Sequence, residues 1–189
     1  MLKLAKSDLL NLVDFFRMSG RLKRIPRSGW VKVGIDSPES VADHTFRTAI
    51  LCMIFSDLEG LDALKMLQMA LIHDLPEVIT GDLTPSERTN MAKKREEDAM
   101  KKLLCLLPEK QRVKYENVWR EYEECKTAEA KAVRQLEKLE MALQAKEYEG
   151  AELTKESLER FFKTAEKAIV SPTIKRLLSY ILGSHFERV

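Results

Sequence analysis

The chain has 189 residues, enough for one domain or one compact core with a helical appendage. Its 32 Lys and Arg nearly balance 30 Asp and Glu, so the net charge of +2 gives no electrostatic case for nucleic acid or an anionic membrane as main partner. Seven glycines and six prolines are about half the usual share of roughly 12%, which argues against a sandwich or barrel and for a mostly helical chain.

The predicted elements follow in order. A first helix spans about 8–19, capped by Ser7, with Leu9, Leu12, Val13 and Phe16 on one stripe and an end near Gly20. Residues 21–36, RLKRIPRSGWVKVGID, read as a basic loop. A second helix follows the cap Ser37, with Pro38 at its first position, and runs to about Leu58. The third spans about 61–73. A short helix carries Pro76 to Ile79, followed by the turn TGDLTP. The fourth starts at Thr84-Pro85 and reaches about 106; the fifth covers about 109–125. The sixth runs from Thr127 to Gly150, the seventh covers 155–169 behind the cap Thr154, and the eighth starts at Ser171-Pro172 and ends near 182.

The longest stretch free of Asp, Glu, Lys and Arg is Leu177 to Phe186, about half of the roughly 20 residues a membrane span needs. The segment MLKLAKSDLL has no apolar signal region. Cys52, Cys105 and Cys125 are odd in number, widely spaced and without a CxxC pair, which fits a reduced, cytoplasmic setting.

Histidine is scarce, and two of three sit beside aspartate: Asp43-His44 and His73-Asp74. Either alone would pass for a satisfied core histidine. The run His73-Asp74-Leu75-Pro76-Glu77 points further, because imidazole and carboxylate are the usual ligands of a borderline divalent metal. Glu77 lies four residues beyond His73, on the same helical side, within reach of a metal-bound water. A further carboxylate ligand is expected from the sixth helix. Glu137 falls in the row Val133–Glu137–Met141, while Glu140 is flanked equally well by Leu136 and Leu143, so periodicity leaves both open. A surface Glu137 paired with Lys138 or Lys131 is the plain alternative. In the basic loop Arg27 suits bidentate capture of phosphate, and the Trp30 indole could cover a base or sugar. Asp82 could accept from a sugar hydroxyl or simply cap its turn.

The segments GRLKRIPRSGWV, PESVADHTFR, ALIHDLPEVITGDLTP and EAKAVRQLEKLEMALQAKEYE, in this order, resemble the HD-domain metal-dependent phosphohydrolases and, among them, the 5'-deoxynucleotidase branch. The resemblance implies a compact all-α bundle, a single HD domain over 1–189. It implies one divalent ion (Mn, Co, Ni, Zn or Mg) held by His44, His73, Asp74 and a distal carboxylate. The family generally has Asp where this chain has Glu137, so the carboxylate is kept on one more methylene. By the same resemblance Glu77 is the acid/base group, Arg27 binds phosphate and Asp82 meets the sugar. The implied reaction removes the 5'-phosphate from (deoxy)nucleoside 5'-monophosphates, in a cytoplasmic homodimer or higher oligomer. Other HD proteins hydrolyse other nucleotides or diesters, and the Glu137 change would also suit a binder without turnover. A substrate panel and metal analysis separate these readings.

Overall fold

The computed structural model describes residues 4–149 and 154–183. Among the described residues ten α-helices follow one another: α1 (Lys6–Ser19), α2 (Ser28–Val31), α3 (Val41–Glu59), α4 (Ala63–Ile72), α5 (Glu77–Thr80), α6 (Asn90–Leu104), α7 (Glu109–Glu124), α8 (Ala128–Tyr148), α9 (Lys155–Ala168) and α10 (Pro172–Gly183). Among the described residues the only β pairing is an isolated bridge, Pro26 to Ser40. The expected all-α architecture is thus present.

Helix α8 is the central element, packing against α3, α4, α7, α9 and α10. Its alanines allow this. Ala130, Ala132, Ala142 and Ala145 are all buried, and their small side chains let neighbouring helices approach. One apolar cluster, including Trp30, Cys52, Met66, Leu136, Phe161 and Ile174, lies around α8. A second, including Leu22, Val41, Leu75, Met100 and Trp119, joins α5, α6 and α7 to the segment after α1. His44 and His73 stand where α3 and α4 meet α8.

Several predicted boundaries move, each for a local reason. Helix α3 begins at Val41, not after Ser37: Ser40 Oγ accepts from Asp43 N at 3.2 Å and Asp43 Oδ2 accepts from Ser40 N at 2.8 Å. That reciprocal cap is stronger than a lone serine before proline. It also leaves 37–40 extended, so that Arg27 N donates to Glu39 O at 3.0 Å and Val41 N to Ile25 O at 2.9 Å. The basic loop is less irregular than expected, containing a 3₁₀ turn over Gly20–Arg24 and the single-turn α2. The predicted fourth helix is split: Pro85–Glu87 is a 3₁₀ turn, and α6 starts only after Thr89, whose hydroxyl accepts from Ala92 N at 3.1 Å. Helix α1 starts two residues earlier than expected, at Lys6, where Asp8 accepts from Ala5 N at 2.9 Å, so Ser7 is not its cap. Helix α8 ends at Tyr148; the expected end at Gly150 lies outside the described residues.

Helix α7 ends on Cys125 in the left-handed region, φ 51° and ψ 39°. Cys125 N there donates to Glu121 O and Tyr122 O, which satisfies the last turn. A Cβ in this conformation is strained by roughly 1 kcal/mol, and glycine carries no such penalty. Cys125→Gly is therefore expected to raise the melting temperature by about 2–4 °C for a domain of this size, and Cys125→Val to lower it. A scan by circular dichroism checks this; a lower midpoint for the glycine variant would remove the strain argument.

Candidate metal centre and adjoining cavity

His44 lies one turn into α3 and is fully buried. Its Nδ1 is 2.5 Å from Glu140 Oε2 on α8, and Glu140 Oε1 is 3.2 Å from Arg47 Nε. Burial pushes the Glu140 pKa up to about 7 while Arg47 opposes the rise; as the ionised acceptor Glu140 keeps the proton on His44 Nδ1 and leaves Nε2 bare. His73 closes α4. Its Nδ1 is 2.7 Å from Ala70 O, a group that can only accept, so in the neutral ring its Nε2 is bare as well. Neither Nε2 has a hydrogen-bond partner despite its burial. Both face Asp74 Oδ2, at 3.9 Å from His44 Nε2 and 3.1 Å from His73 Nε2. One ligand atom each from His44, His73 and Asp74 lie within 4.8 Å of one another.

Two buried imidazole nitrogens without partners, converging on a carboxylate, form a donor set of the type that holds a divalent transition metal. The outer partners, Glu140 and the Ala70 carbonyl, fix the tautomers such a site requires. Burial, and then Arg27, push the His44 imidazolium down to about 3, so this ring is neutral at pH 7. For His73, burial works against the cation but the Asp74 charge prevails and raises its pKa. For Asp74, burial opposes ionisation and is outweighed by His73 and Arg27, which hold it as a carboxylate.

The chain continues from α4 in tight turns, with Leu75 N on Ile72 O, then Glu77 N on Asp74 O. This winding brings Glu77 in beside Asp74 with both carboxylate oxygens buried and unpartnered. Burial, then the negative charges of Asp74 and Asp82, push its pKa far above the usual carboxylate range. After α5, Gly81 adopts φ 76° and ψ 166°, a region open essentially to glycine, and turns the chain back toward α2. Asp82 then accepts from Ser28 N at 2.5 Å and from Arg27 Nη1 at 3.2 Å. The same Nη1 lies 3.3 Å from Asp74 Oδ2. Arg27 is thereby fixed next to the three-residue cluster.

Glu137 is buried, as expected of an inward row, yet it stands outside the group of converging ligand atoms. Tyr122 donates to its Oε2 at 2.7 Å and Lys138 to its Oε1 at 2.7 Å. Burial opposes its ionisation, and Lys138, then His73, hold it ionised. Glu140, the rival by periodicity, acts on His44 Nδ1. Trp30 is 2% exposed. Its ring packs against Phe161 at 4.2 Å and edge-on against Tyr148 at 5.3 Å, while Nε1 donates to Glu39 Oε1 at 2.8 Å. It lines a cavity of about 310 Å³ shared with Arg27, Asp82, Arg88, Glu137 and Phe161.

Sequence reasoning passed over Arg88, Tyr122 and Arg47. Arg88 borders both this cavity and a small recess formed by His73, Asp74 and Glu77, and burial notwithstanding, Asp74 and Glu137 raise its pKa. Its place in a polar turn after TGDLTP gave no periodic signal. Tyr122 and Arg47 sit on helical faces where spacing alone gives no partner.

The HD domain family matches residues 19–176. The chain is 42% identical to the bovine protein named 5'-deoxynucleotidase HDDC2 over 171 residues, covering 89% of this chain and 83% of that one. It is 36% identical to 5'-deoxynucleotidase hdd1 of Schizosaccharomyces pombe, with 92% and 89% covered. A conserved hypothetical protein from Pyrococcus furiosus shares the fold with a TM-score of 0.75 and 32% identity, covering 91% of this chain and 99% of that one. With its two bare imidazole nitrogens, the adjacent aspartate and a family match spanning most of its length, the chain belongs to the HD domain family.

Proposed function

We propose that this protein is a metal-dependent 5'-deoxynucleotidase, a single HD domain acting in the cytoplasm on (deoxy)nucleoside 5'-monophosphates. The observation that carries this reading is the meeting of bare His44 Nε2, bare His73 Nε2 and Asp74 beside a fixed Arg27 at a cavity of about 310 Å³. Such a volume is at the small end of ligand pockets and suits a mononucleotide. The naming of relatives as 5'-deoxynucleotidases supports the substrate class.

His44, His73 and Asp74 would hold the ion, with Glu137 as the distal carboxylate when it leaves Tyr122 or Lys138. A divalent ion bound there supplies Lewis-acid stabilisation of phosphate charge and a lowered pKa for a bound water. Arg27 binds phosphate oxygens through the rest of its fork, while Asp82 and Asp74 fix its Nη1. Glu77 performs the proton transfer. Its carboxyl group, buried beside Asp74 with neither oxygen engaged, is free to hand a proton to the leaving 5'-oxygen or take one from the attacking water. Asp82 stands next to Arg27 and meets the sugar.

The proposed homodimer is supported by α3. This helix is apolar on both sides: Thr48, Cys52 and Phe55 are buried, yet Phe46, Ile50 and Met53 are exposed. With Phe16 of α1 and Leu71 of α4 they line an open groove. Together they form an exposed apolar patch of the kind found at the centre of an interface of about 800 Å² per partner. Projecting Phe46 and the groove lie on one face, as a two-fold contact with a second copy requires.

Phosphate release from a panel of nucleoside monophosphates, with Mn, Co, Ni, Zn or Mg after chelation, tests the activity; no release with any ion would overturn it. Glu77→Ala is expected to keep bound metal and lose turnover by about 10²–10⁴-fold, whereas Arg27→Ala raises KM and Arg27→Lys restores it only in part. Near-normal kinetics in both alanine variants would end the proposed roles. Glu137→Gln should lower the metal content if Glu137 completes the shell, and Glu137→Asp should preserve it; unchanged metal in Glu137→Gln returns that carboxylate to a structural role. Light scattering should give a dimer, converted to monomer by Phe46→Glu; a monomeric parent protein would refute the interface.

A further inference from the structure

One wall of the cavity is built from α9 and has no part in holding metal or phosphate. Arg160, Phe161 and Thr164 line it, with Met141 of α8 beside them. Behind Phe161 stands a layered support. Phe161 packs on Trp30 with ring centres 4.2 Å apart and planes tilted 35°, and Trp30 meets Tyr148 edge-on. Trp30 and Phe161 are nearly closed to solvent, at 2% and 8% exposure. The outermost layer is Arg160, an exposed residue whose guanidinium carbon lies over the Phe161 ring at 4.7 Å from its centre. Its Nη2 also donates to Gly29 O at 3.1 Å. Two contacts thus fix this planar group, and the second ties it to the α2 turn that begins next to Arg27.

Gly29 makes the closure possible. A Cβ at that position would lie 3.2 Å from Phe161 Cε1, tighter than ordinary contact. Glycine lets α9 settle on the turn and brings Arg160 to the cavity's edge.

Resting on the deoxynucleotide reading, we infer that Arg160 binds the nucleobase by stacking, as the far wall of the site whose phosphate end is Arg27. The chemistry of the wall supports contact with the base face. A guanidinium plane is a good stacking surface for any base. The polar groups around it are already engaged: Thr164 Oγ1 donates to Arg160 O at 2.7 Å and Lys138 Nζ to Glu137 at 2.7 Å. Met141 adds an adaptable apolar surface. Arg160 itself is bonded to Gly29 and not to His44, His73, Asp74 or Glu137, so its side chain acts first on affinity.

The test compares two substrates differing by the base, dAMP and deoxyribose 5-phosphate, in the full-length metal-loaded protein. Arg160→Ala is expected to raise KM for dAMP about tenfold relative to deoxyribose 5-phosphate, with kcat for each retained. Arg160→Lys, which keeps charge without the plane, should not restore the ratio. Equal rises for both substrates would show that Arg160 only holds the Gly29 turn in place, and an unchanged ratio would show that no base contact exists; either result overturns the inference. Hydrolysis of neither substrate by the parent protein would instead fail the deoxynucleotidase reading, and this inference with it.

Discussion

Crowding of negative charge governs this protein. Asp74, Glu77, Glu137 and Glu140 are all buried, and Asp82 adjoins them. Against them stand Arg27, bonded to Asp74 and Asp82, Arg47 on Glu140, and Lys138 on Glu137. Arg27 and Arg88 act on Glu77 only through space, and its two oxygens have no hydrogen-bond partner among the described residues. Burial first, and then the charges of Asp74 and Asp82, suppress its ionisation. A divalent ion among His44, His73 and Asp74 is the natural complement to this field.

The parts of the fold governed by short-range rules were legible in the sequence. Thr127 and Thr89 accept from the backbone of the third residue beyond them, as N-caps do, although Thr89 had to be seen before the preceding proline to place α6 correctly. Ser40 won over Ser37 because Asp43 answers it three residues later, a pairing present in the sequence but outweighed there by the attraction of Pro38. The extended pairing of 25–27 with 39–41 had no such signature. It involves only two backbone bonds between segments whose side chains are not alternating, so periodicity carries no trace of it.

For the site, His44, His73 and Asp74 were recognisable because scarce histidines sat beside aspartates on apolar helices. The choice between Glu137 and Glu140 was not recoverable from spacing: both are buried, three residues apart on one face, and they differ in what they touch across the bundle. Glu140 meets His44 and Arg47 from α3, while Glu137 meets Tyr122 from α7. Trp30 shows the opposite error of emphasis. An indole in a basic loop suggests an exposed stacking surface, but α2 folds it inward and α9 covers it, moving the exposed plane outward to Arg160. That cover depends on residues more than 130 positions later in the chain, beyond any local reading.

Wall and metal cradle are also mechanically joined. Trp30 Nε1 donates to Glu39 Oε1, and Glu39, His44 and Glu140 bring ligand-type atoms within 4.8 Å of one another. Glu39 itself is held through its backbone N on the Tyr148 hydroxyl at 2.9 Å. The indole that supports Phe161 and Arg160 therefore braces the carboxylate neighbouring the one that sets the His44 tautomer. Close-packed interiors transmit displacement because they lack free volume to absorb it. A shift of α9 would be felt first at Trp30, then at Glu39, and only beyond that at the bare nitrogen facing Asp74. Placing the adaptable surface at the outer end of this series, on an exposed arginine, lets the wall adjust to a ligand while the inner histidines keep the geometry that burial and two fixed acceptors impose on them.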